Sequence, residues 1–243
     1  MSQLTIYQNP VPLNKETHKN FKISPSQTPF SFAAQTNSVV LAGIEFVHAA
    51  KEYGIIFSRV GGGEVIVPVA LLGMRNEENL FVDEKGQWAA RYIPAFVRRY
   101  PFVLAQQGEG SPQMMVCVDD TYPGFNQQNG ESLFTEAGEA TPLLDKAISF
   151  LKEYQSHYQR TEIFVNHLKE LDLFVELTAR ADLVDGKQYA MGGLLAVDEK
   201  KLLNLPENKV VELFRSGELG WIYSHLSSLS NIRQLADKLS KKS

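Results

Sequence analysis

The densest group of side chains that could do chemistry lies between Trp88 and Phe102. Aromatic residues share these fifteen positions with Arg91, Arg98 and Arg99, in a chain whose formal net charge is -4. Aromatic and arginine side chains contribute much of the binding free energy at protein interfaces, and guanidinium groups pair well with carboxylates or phosphates. The segment therefore predicts a binding surface.

Two acids, Asp119 and Asp120, follow an apolar run over residues 114–118. Paired carboxylates at the end of a strand could bind a cation or stand beside a substrate, or they could terminate the strand and cap a turn. A structural role also stays open for the aromatic and basic residues, with the rings in the core and the arginines paired to these acids. The candidate binding residues are Trp88, Tyr92, Phe96, Arg98, Arg99, Tyr100, Asp119 and Asp120.

The sequence offers no constellation typical of catalysis. Cys117 lies beside the two acids, whose negative charge disfavours the thiolate that a nucleophile needs, so we expect an inert, buried thiol. The five histidines form no pair at the spacing of a helical metal site, and no Gly-x-Ser-x-Gly segment is present. We therefore predict no catalytic residue, no cofactor and no bound metal.

The composition is that of a globular protein with an ordinary core. The chain has 243 residues, 44% of them hydrophobic, and a chain of this length buries roughly 70% of the surface that its unfolded form exposes. The mildly acidic charge gives no electrostatic basis for binding nucleic acid or anionic membranes. A single cysteine, the lack of any membrane-length apolar stretch and the absence of a secretory signal pattern predict a cytoplasmic protein.

The elements that must position the candidate residues begin with a polar stretch and a β-rich part. Residues 1–37, rich in Gln, Asn, Ser, Thr and Pro, predict an extended arm over the body of the protein. Residues 38–120 alternate short apolar runs with turns, which predicts antiparallel strands, including a hairpin around the glycines at 61–63 and a strand at 79–82. Residues 121–140 are polar and glycine-punctuated, so we expect a long surface connection there.

Residues 141–243 predict helices and one hairpin. Thr141-Pro142 is a typical helix start, and the apolar spacing beyond it fits one long helix or two consecutive helices with a break near Arg160. Asp185-Gly186 predicts a tight turn between two strands, and short helices follow. The prediction is a single α+β domain with an antiparallel β-rich N-terminal half, a long central amphipathic helix, a β-hairpin and a helical C-terminal tail.

A family resemblance is carried by the run Tyr92-Ile93-Pro94-Ala95-Phe96-Val97-Arg98-Arg99-Tyr100-Pro101-Phe102, which resembles the signature of the SapC family of bacterial proteins. Residues 45–57 are similar to that family's amino-terminal block, with Gly54 where a proline is expected. Further segments follow in similar order, so that the resemblance spans residues 5–235. Those segments are 70–73, 79–81, 86–88, 117–120, 130–134, 138–142, 216–219 and 225–229.

The resemblance implies a cellular process but no particular reaction. The family takes its name from surface-layer protein export, and its members are often labelled peptide-transport components. The resemblance also implies an association, because family members are neighbours of flavin-dependent tryptophan halogenases and outer-membrane receptors. The resemblance implies no catalytic residues, and the chain has no predicted membrane span that would fit a permease.

Three hypotheses follow. The leading one is a non-catalytic accessory protein that binds a peptide or protein partner in bacterial surface-protein export or a linked modification system. The alternative is an enzyme or enzyme subunit that supports oxidation or halogenation of an aromatic substrate, and it requires Trp88, Arg98, Asp119 and Asp120 around one pocket. A weaker third hypothesis is a transcriptional regulator that uses the basic C-terminal tail.

Overall fold

A computed structural model describes residues 6–108, 111, 113–182 and 188–242. These residues form an α+β fold of antiparallel sheets, one long helix and a group of C-terminal helices, as predicted. The strands are β1 (Pro10–Pro12), β2 (Lys22–Ile23), β3 (Ser38–Val40), β4 (Gly54–Val60), β5 (Val65–Leu71), β6 (Phe102–Gln106), β7 (Met114–Asp119), β8 (Phe125–Asn126), β9 (Glu131–Ser132), β10 (Phe174–Asp182) and β11 (Gln188–Val197). The α-helices are α1 (Phe46–Ala49), α2 (Ala95–Arg98), α3 (Pro142–Glu170), α4 (Glu199–Leu203), α5 (Glu207–Ser216), α6 (Glu218–Ser228) and α7 (Ile232–Lys242).

The largest sheet has five antiparallel strands in the order β10-β11-β4-β5-β3. β4 and β5 form the predicted hairpin, and the three glycines at 61–63 between them all have positive φ, a conformation that side chains with a Cβ resist. β11 pairs with β4 at Leu194 and Leu195, so the C-terminal hairpin adds its strands to the sheet of the first half. The predicted turn at Asp185-Gly186 lies outside the described residues.

Two small sheets use the N-terminal arm. β1 pairs with β7 in the sheet β1-β7-β6, and β2 lies between β8 and β9 in a second three-stranded sheet. The polar connection at 121–140 therefore supplies two short strands to the arm. Together these pieces enclose a small apolar cluster, whose buried members are Phe102, Val118, Leu133, Leu144 and Leu151.

The long helix α3 is unbroken over 29 residues. Its first turn is capped by the side chain of Thr141, as the sequence predicted, and no break occurs near Arg160. Thr161 lies next to that position, and its hydroxyl donates to the carbonyl of His157 (2.7 Å) and accepts from the N–H of Gly43 (2.8 Å). α3 runs from the small cluster to the main core, and no described helix is both long and apolar enough to span a membrane.

Buried polar side chains join α6 and the turn after it to the main sheet. His225 donates from Nδ1 to the carbonyl of Ile55 (2.9 Å) and accepts at Nε2 from the N–H of Val197 (3.0 Å). Burial lowers the pKa of His225 to about 4, so the neutral ring can donate and accept at once. Ser228 accepts from the N–H of Ile55 (2.9 Å), so this part of the SapC-like segment 225–229 has a structural role.

The strand predicted at 79–82 is wrong. The backbone there forms an isolated bridge between Val82 and Trp88. The N–H of Leu80 donates to the carbonyl of Leu72 (2.8 Å) and the N–H of Ala89 to the carbonyl of Phe81 (2.7 Å), so backbone pairing is present but does not continue as a strand. The buried amide of Asn79 donates to the carbonyl of Ala33 (2.9 Å), and its oxygen accepts from the N–H of Phe81 (2.8 Å), which joins this segment to the N-terminal arm.

Candidate functional site: a groove beside Arg98

A buried carboxylate, that of Glu45, fixes the start of α2 and the ring of Tyr92. Glu45 ends the short 3-10 turn before α1 and is 4% exposed. Its Oε1 accepts from the N–H of Ala95 (2.7 Å) and from the hydroxyl of Tyr92 (2.8 Å), and Oε2 accepts from the N–H of Ala42 (2.8 Å). Both carboxylate oxygens are therefore engaged, and they join two regions far apart in the sequence.

Glu52, beyond the other end of α1, holds the preceding residues in the same way. Its two oxygens accept from the N–H groups of Arg91 (2.9 Å) and Tyr92 (2.9 Å). The hydroxyl of Tyr53 donates to the carbonyl of Tyr92 and accepts from Nε1 of Trp88 (2.8 Å). The two blocks that most resemble the SapC family thus form one hydrogen-bonded unit.

Arg98 lies on the exposed side of α2 between two aromatic rings. Its guanidinium carbon is 5.8 Å from the ring centre of Tyr92 and 5.1 Å from that of Phe150, and Nε donates to the carbonyl of Ile93 (2.9 Å). These contacts orient the guanidinium plane. Within the described ranges Arg98 forms no salt bridge with an acid. Its guanidinium interacts with Glu45 and with the hydroxyl of Tyr92, and it lowers the pKa of both groups against the larger effect of burial. Arg98 is exposed, so a ligand can still reach it.

A groove of about 480 Å³ opens beside Arg98. Its residues come from three stretches: the region around α1, the region around α2, and the middle of α3. Ile44 on its wall is 46% exposed, so the groove presents apolar surface as well as the guanidinium. The lining residues are Ala42, Ile44, Glu45, His48, Tyr92, Ala95, Arg98, Phe150, Glu153, Tyr154 and His157.

A second depression, of about 430 Å³, adjoins this groove. His48 and Tyr92 line both, with their rings stacked at 5.6 Å between centres and 19° between planes. The remaining lining residues of the second depression are Lys51, Glu52 and Arg91. The groove beside Arg98 and this depression therefore form one surface divided by a stacked ring pair.

The titratable groups in the groove are arranged for binding more than for proton transfer. Burial raises the pKa of Glu45, although hydrogen bonds from Ala95, Ala42 and Tyr92 act in the opposite direction. Burial and the adjacent Glu45 raise the pKa of Tyr92, which stays a neutral phenol and a hydrogen-bond donor. Glu45 positions Tyr92 and the start of α2 through three of the roughly four hydrogen bonds that a carboxylate can accept.

The remaining candidates from the aromatic segment face the interior. Trp88 is 9% exposed and packs edge-on against Phe30, at 5.7 Å between ring centres. Tyr100 stacks on Phe32 at 3.8 Å between ring centres. These contacts attach the N-terminal arm to the segment, so the structure gives Trp88 and Tyr100 packing roles.

Arg99 is enclosed by rings and forms no ion pair with a described acid. Its guanidinium carbon lies 4.0 Å from the ring centre of Phe96, 5.1 Å from that of Tyr154 and 5.5 Å from that of Tyr7. Its Nε is buried without a hydrogen-bond partner. The pairing of arginines with Asp119 or Asp120 that the sequence left open does not occur for Arg98 or Arg99.

Asp119 and Asp120 anchor the arm. Asp119 is fully buried and accepts from the N–H groups of Gln8 (2.7 Å) and Asn9 (3.2 Å) and from the hydroxyl of Thr121 (2.6 Å). Burial alone would raise the pKa of Asp119, but these hydrogen bonds outweigh it and hold the pKa below its ordinary value. Asp120 is exposed and accepts from the side-chain amide of Asn9 (2.8 Å).

The pocket required by the enzymatic hypothesis is not formed at the groove. Of Trp88, Arg98, Asp119 and Asp120, Arg98 alone is among its lining residues. Cys117 is buried, and burial raises the pKa of its thiol. In the described part of the chain, no three or more His, Cys, Asp or Glu side chains are grouped to hold a metal ion.

Sequence reasoning missed the residues that build the groove. Glu45, His48 and Glu52 lie in a stretch that predicted a brief helix, and Phe150 and Tyr154 belong to the amphipathic pattern of α3. A signal for the first group exists, because two acids flank the predicted short helix in the segment 45–57 that is similar to the amino-terminal block of the SapC family. No signal in the sequence distinguishes the groove side of α3 from its buried side at Tyr154.

Comparison with known proteins gives one family and no individual relative. No curated protein and no solved structure matches the chain. The SapC family model matches residues 13–235, which include both hydrogen-bonded blocks, α3 and most of the C-terminal helices. The match covers nearly the whole chain and confirms the resemblance seen in the sequence. The chain belongs to the SapC family.

Proposed function

We propose that this SapC family protein is a non-catalytic accessory protein that binds a peptide or protein partner in the groove beside Arg98. The observation that carries the proposal is an oriented guanidinium without an ion pair, placed beside aromatic rings and exposed apolar side chains. Arginine and aromatic residues around an open groove are typical of protein-binding sites.

The form of the groove supports a binding role. Glu45 accepts three hydrogen bonds, one of them from the hydroxyl of Tyr92, and the ring of Tyr92 stacks on His48. Side chains locked in this way offer a rigid surface, which lowers the entropy cost of binding. A peptide segment could pack against Ile44 while a polar group pairs with Arg98.

The proposal also assigns a place and a process. We place the protein in the cytoplasm, which is supported by its single, buried Cys117. Membership of the SapC family supports a role in bacterial surface-protein export or in a linked modification system. The partner would then be a protein of that system.

A photocrosslinking experiment tests the proposal. Benzoylphenylalanine is introduced in place of Ile44 on the groove wall, and in a matched control in place of Ile163, which is 55% exposed on α3 and does not line the groove. Each variant is expressed in the source bacterium, irradiated and analysed by electrophoresis and mass spectrometry.

We expect a discrete crosslinked protein or peptide from position 44 and none from position 163. The same adducts from both positions, or none from position 44, would contradict binding at the groove. Circular dichroism of both variants shows whether they fold.

A further inference from the structure

We infer that the segment bound across the groove and the adjoining depression is acidic, with an aromatic or aliphatic residue between its acidic side chains; this inference rests on the proposed function. Three exposed cations line the joined surface: Lys51, Arg91 and Arg98. In the part of the chain that the structure describes, none of the three forms an ion pair with an acid.

The acids on the same surface are less accessible than the cations. Glu45 is buried and Glu52 is partly buried, and together they accept five hydrogen bonds, four from backbone N–H groups and one from the hydroxyl of Tyr92. Arg98 also interacts with Glu45 and lowers the pKa of that carboxyl against the effect of burial. Glu153 is the exposed acid of the lining, so the accessible charges on this surface are three cations and one carboxylate.

The positions of the cations suggest how a segment would lie. Arg98 is on one side of the stacked pair His48 and Tyr92, while Lys51 and Arg91 are on the other side. An extended segment that crosses the stacked rings can therefore place an acidic side chain in each half of the surface. Its central residue would lie against the rings, where an apolar or aromatic side chain packs best.

The same chemistry favours a peptide over a nucleic acid. An oligonucleotide carries a charge at every nucleotide, and its affinity depends on many phosphate contacts. This surface has three cations, the whole chain has a formal net charge of -4, and Ile44 adds exposed apolar area. Apolar side chains next to a few cations suit an acidic, partly hydrophobic peptide.

Fluorescence anisotropy with defined peptides tests the inference on the full-length protein. The probe is a fluorescein-labelled decapeptide that alternates glutamate with phenylalanine and leucine, and its matched control replaces every glutamate by glutamine. We expect the acidic peptide to bind at least roughly tenfold more tightly at low ionic strength, with a difference that shrinks as salt screens the charges.

Charge variants locate the effect. The triple variant Lys51→Gln, Arg91→Gln, Arg98→Gln should lose the preference for the acidic peptide. A matched triple variant, Lys19→Gln, Lys85→Gln, Lys200→Gln, removes the same charge at exposed positions outside the groove and should keep it. Thermal unfolding of both variants controls for folding.

Four outcomes would overturn the inference. They are equal binding of the acidic and neutral peptides, a preference that survives in the groove triple variant, tighter binding of a single-stranded decanucleotide than of the acidic peptide, and failure of both peptides to bind. If crosslinking from position 44 still yields a partner, the binding function stands and the acidic chemistry alone fails.

Discussion

The two faces of α2 meet opposite surroundings, although their residues alternate along a single short segment. Arg98 lies in an open groove with its plane fixed by Tyr92 and Phe150, whereas the next residue, Arg99, is partly buried and its guanidinium lies among three rings. Successive residues of an α-helix point about 100° apart, so neighbours in sequence readily reach different environments. The composition of the segment predicted a binding surface. The direction in which each residue projects from the helical turn decides which of them can contact a partner.

Two buried acids, Asp119 and Glu45, likewise have pKa shifts in opposite directions. Asp119, on the interior side, has its pKa lowered by hydrogen bonds that hold the arm. Glu45, at the groove, has its pKa raised because burial outweighs its hydrogen bonds. Two buried carboxylates with structural partners thus have opposite effects on stability as the pH changes.

The largest expected effect is on the interior face. Trp88→Ala removes a buried indole that contacts Phe30 and donates to Tyr53, and we expect a loss of about 3–5 kcal/mol in the free energy of unfolding. Urea denaturation followed by circular dichroism measures it. Trp88→Phe, which retains most of the packing, should lose clearly less, and a loss below about 1 kcal/mol for Trp88→Ala would show that this face is not structural.

A smaller effect is expected at Arg99. Arg99→Ala removes contacts with three rings, which should cost about 2 kcal/mol, largely through lost packing. Arg99→Met keeps apolar volume and removes the buried Nε that has no partner, so it should recover most of that loss. Equal destabilisation by both substitutions would mean that the charge of Arg99 is required.

Tyr92→Phe probes the border between the two faces. The variant retains the ring stacked on His48 and removes the hydroxyl that donates to Glu45, so we expect a loss of about 1 kcal/mol. The same denaturation experiment measures this loss. An unchanged free energy of unfolding in Tyr92→Phe would show that the hydrogen bond to Glu45 does not stabilise the groove.

The pH dependence of stability separates Asp119 from Glu45. The lowered pKa of Asp119 means that its stabilising contribution is present above its ordinary value of 3.8 and is lost as the pH falls through the lower folded value. The raised pKa of Glu45 means that the folded state favours its protonated form, so its contribution is most favourable below 4.5 and declines as the pH rises through the folded value.

Asp119→Asn should therefore lose more stability relative to wild type as the pH rises from acid towards 5, while the stability of Glu45→Gln relative to wild type should improve as the pH rises above 4.5. Urea midpoints at several pH values measure both trends. If the stability of both variants relative to wild type changed in the same direction with pH, the opposite pKa shifts of Asp119 and Glu45 would be contradicted.

Local sequence patterns predicted most elements of the fold. The capped start of α3, the glycine hairpin between β4 and β5, and the helices after Asp198 follow from short-range signals, and all are present. In place of the strand predicted at 79–82 the chain forms turns and an isolated bridge at Val82, and the buried side chain of Asn79 holds the segment to the carbonyl of Ala33. Ala33 is remote in sequence, so no local pattern predicts this contact.

The candidate site was predictable in part. The aromatic and basic segment was predicted, but the roles of its members depend on Glu45 and Glu52, which contact it across 39 to 50 residues of sequence. Asp119 and Asp120 were predicted as binding candidates because they are adjacent acids, and both accept hydrogen bonds from the N-terminal arm. Long-range hydrogen bonds of this kind leave no periodic pattern in the sequence.

The central claim is that Arg98 belongs to a binding surface and Arg99 to the core. Its most direct test is the yield of crosslinked partner from benzoylphenylalanine at position 44 in two backgrounds, Arg98→Ala and Arg99→Met. The yield should fall strongly with Arg98→Ala and stay near that of the parent with Arg99→Met. An undiminished yield with Arg98→Ala, or an equal loss in both backgrounds while both variants remain folded, would contradict the claim.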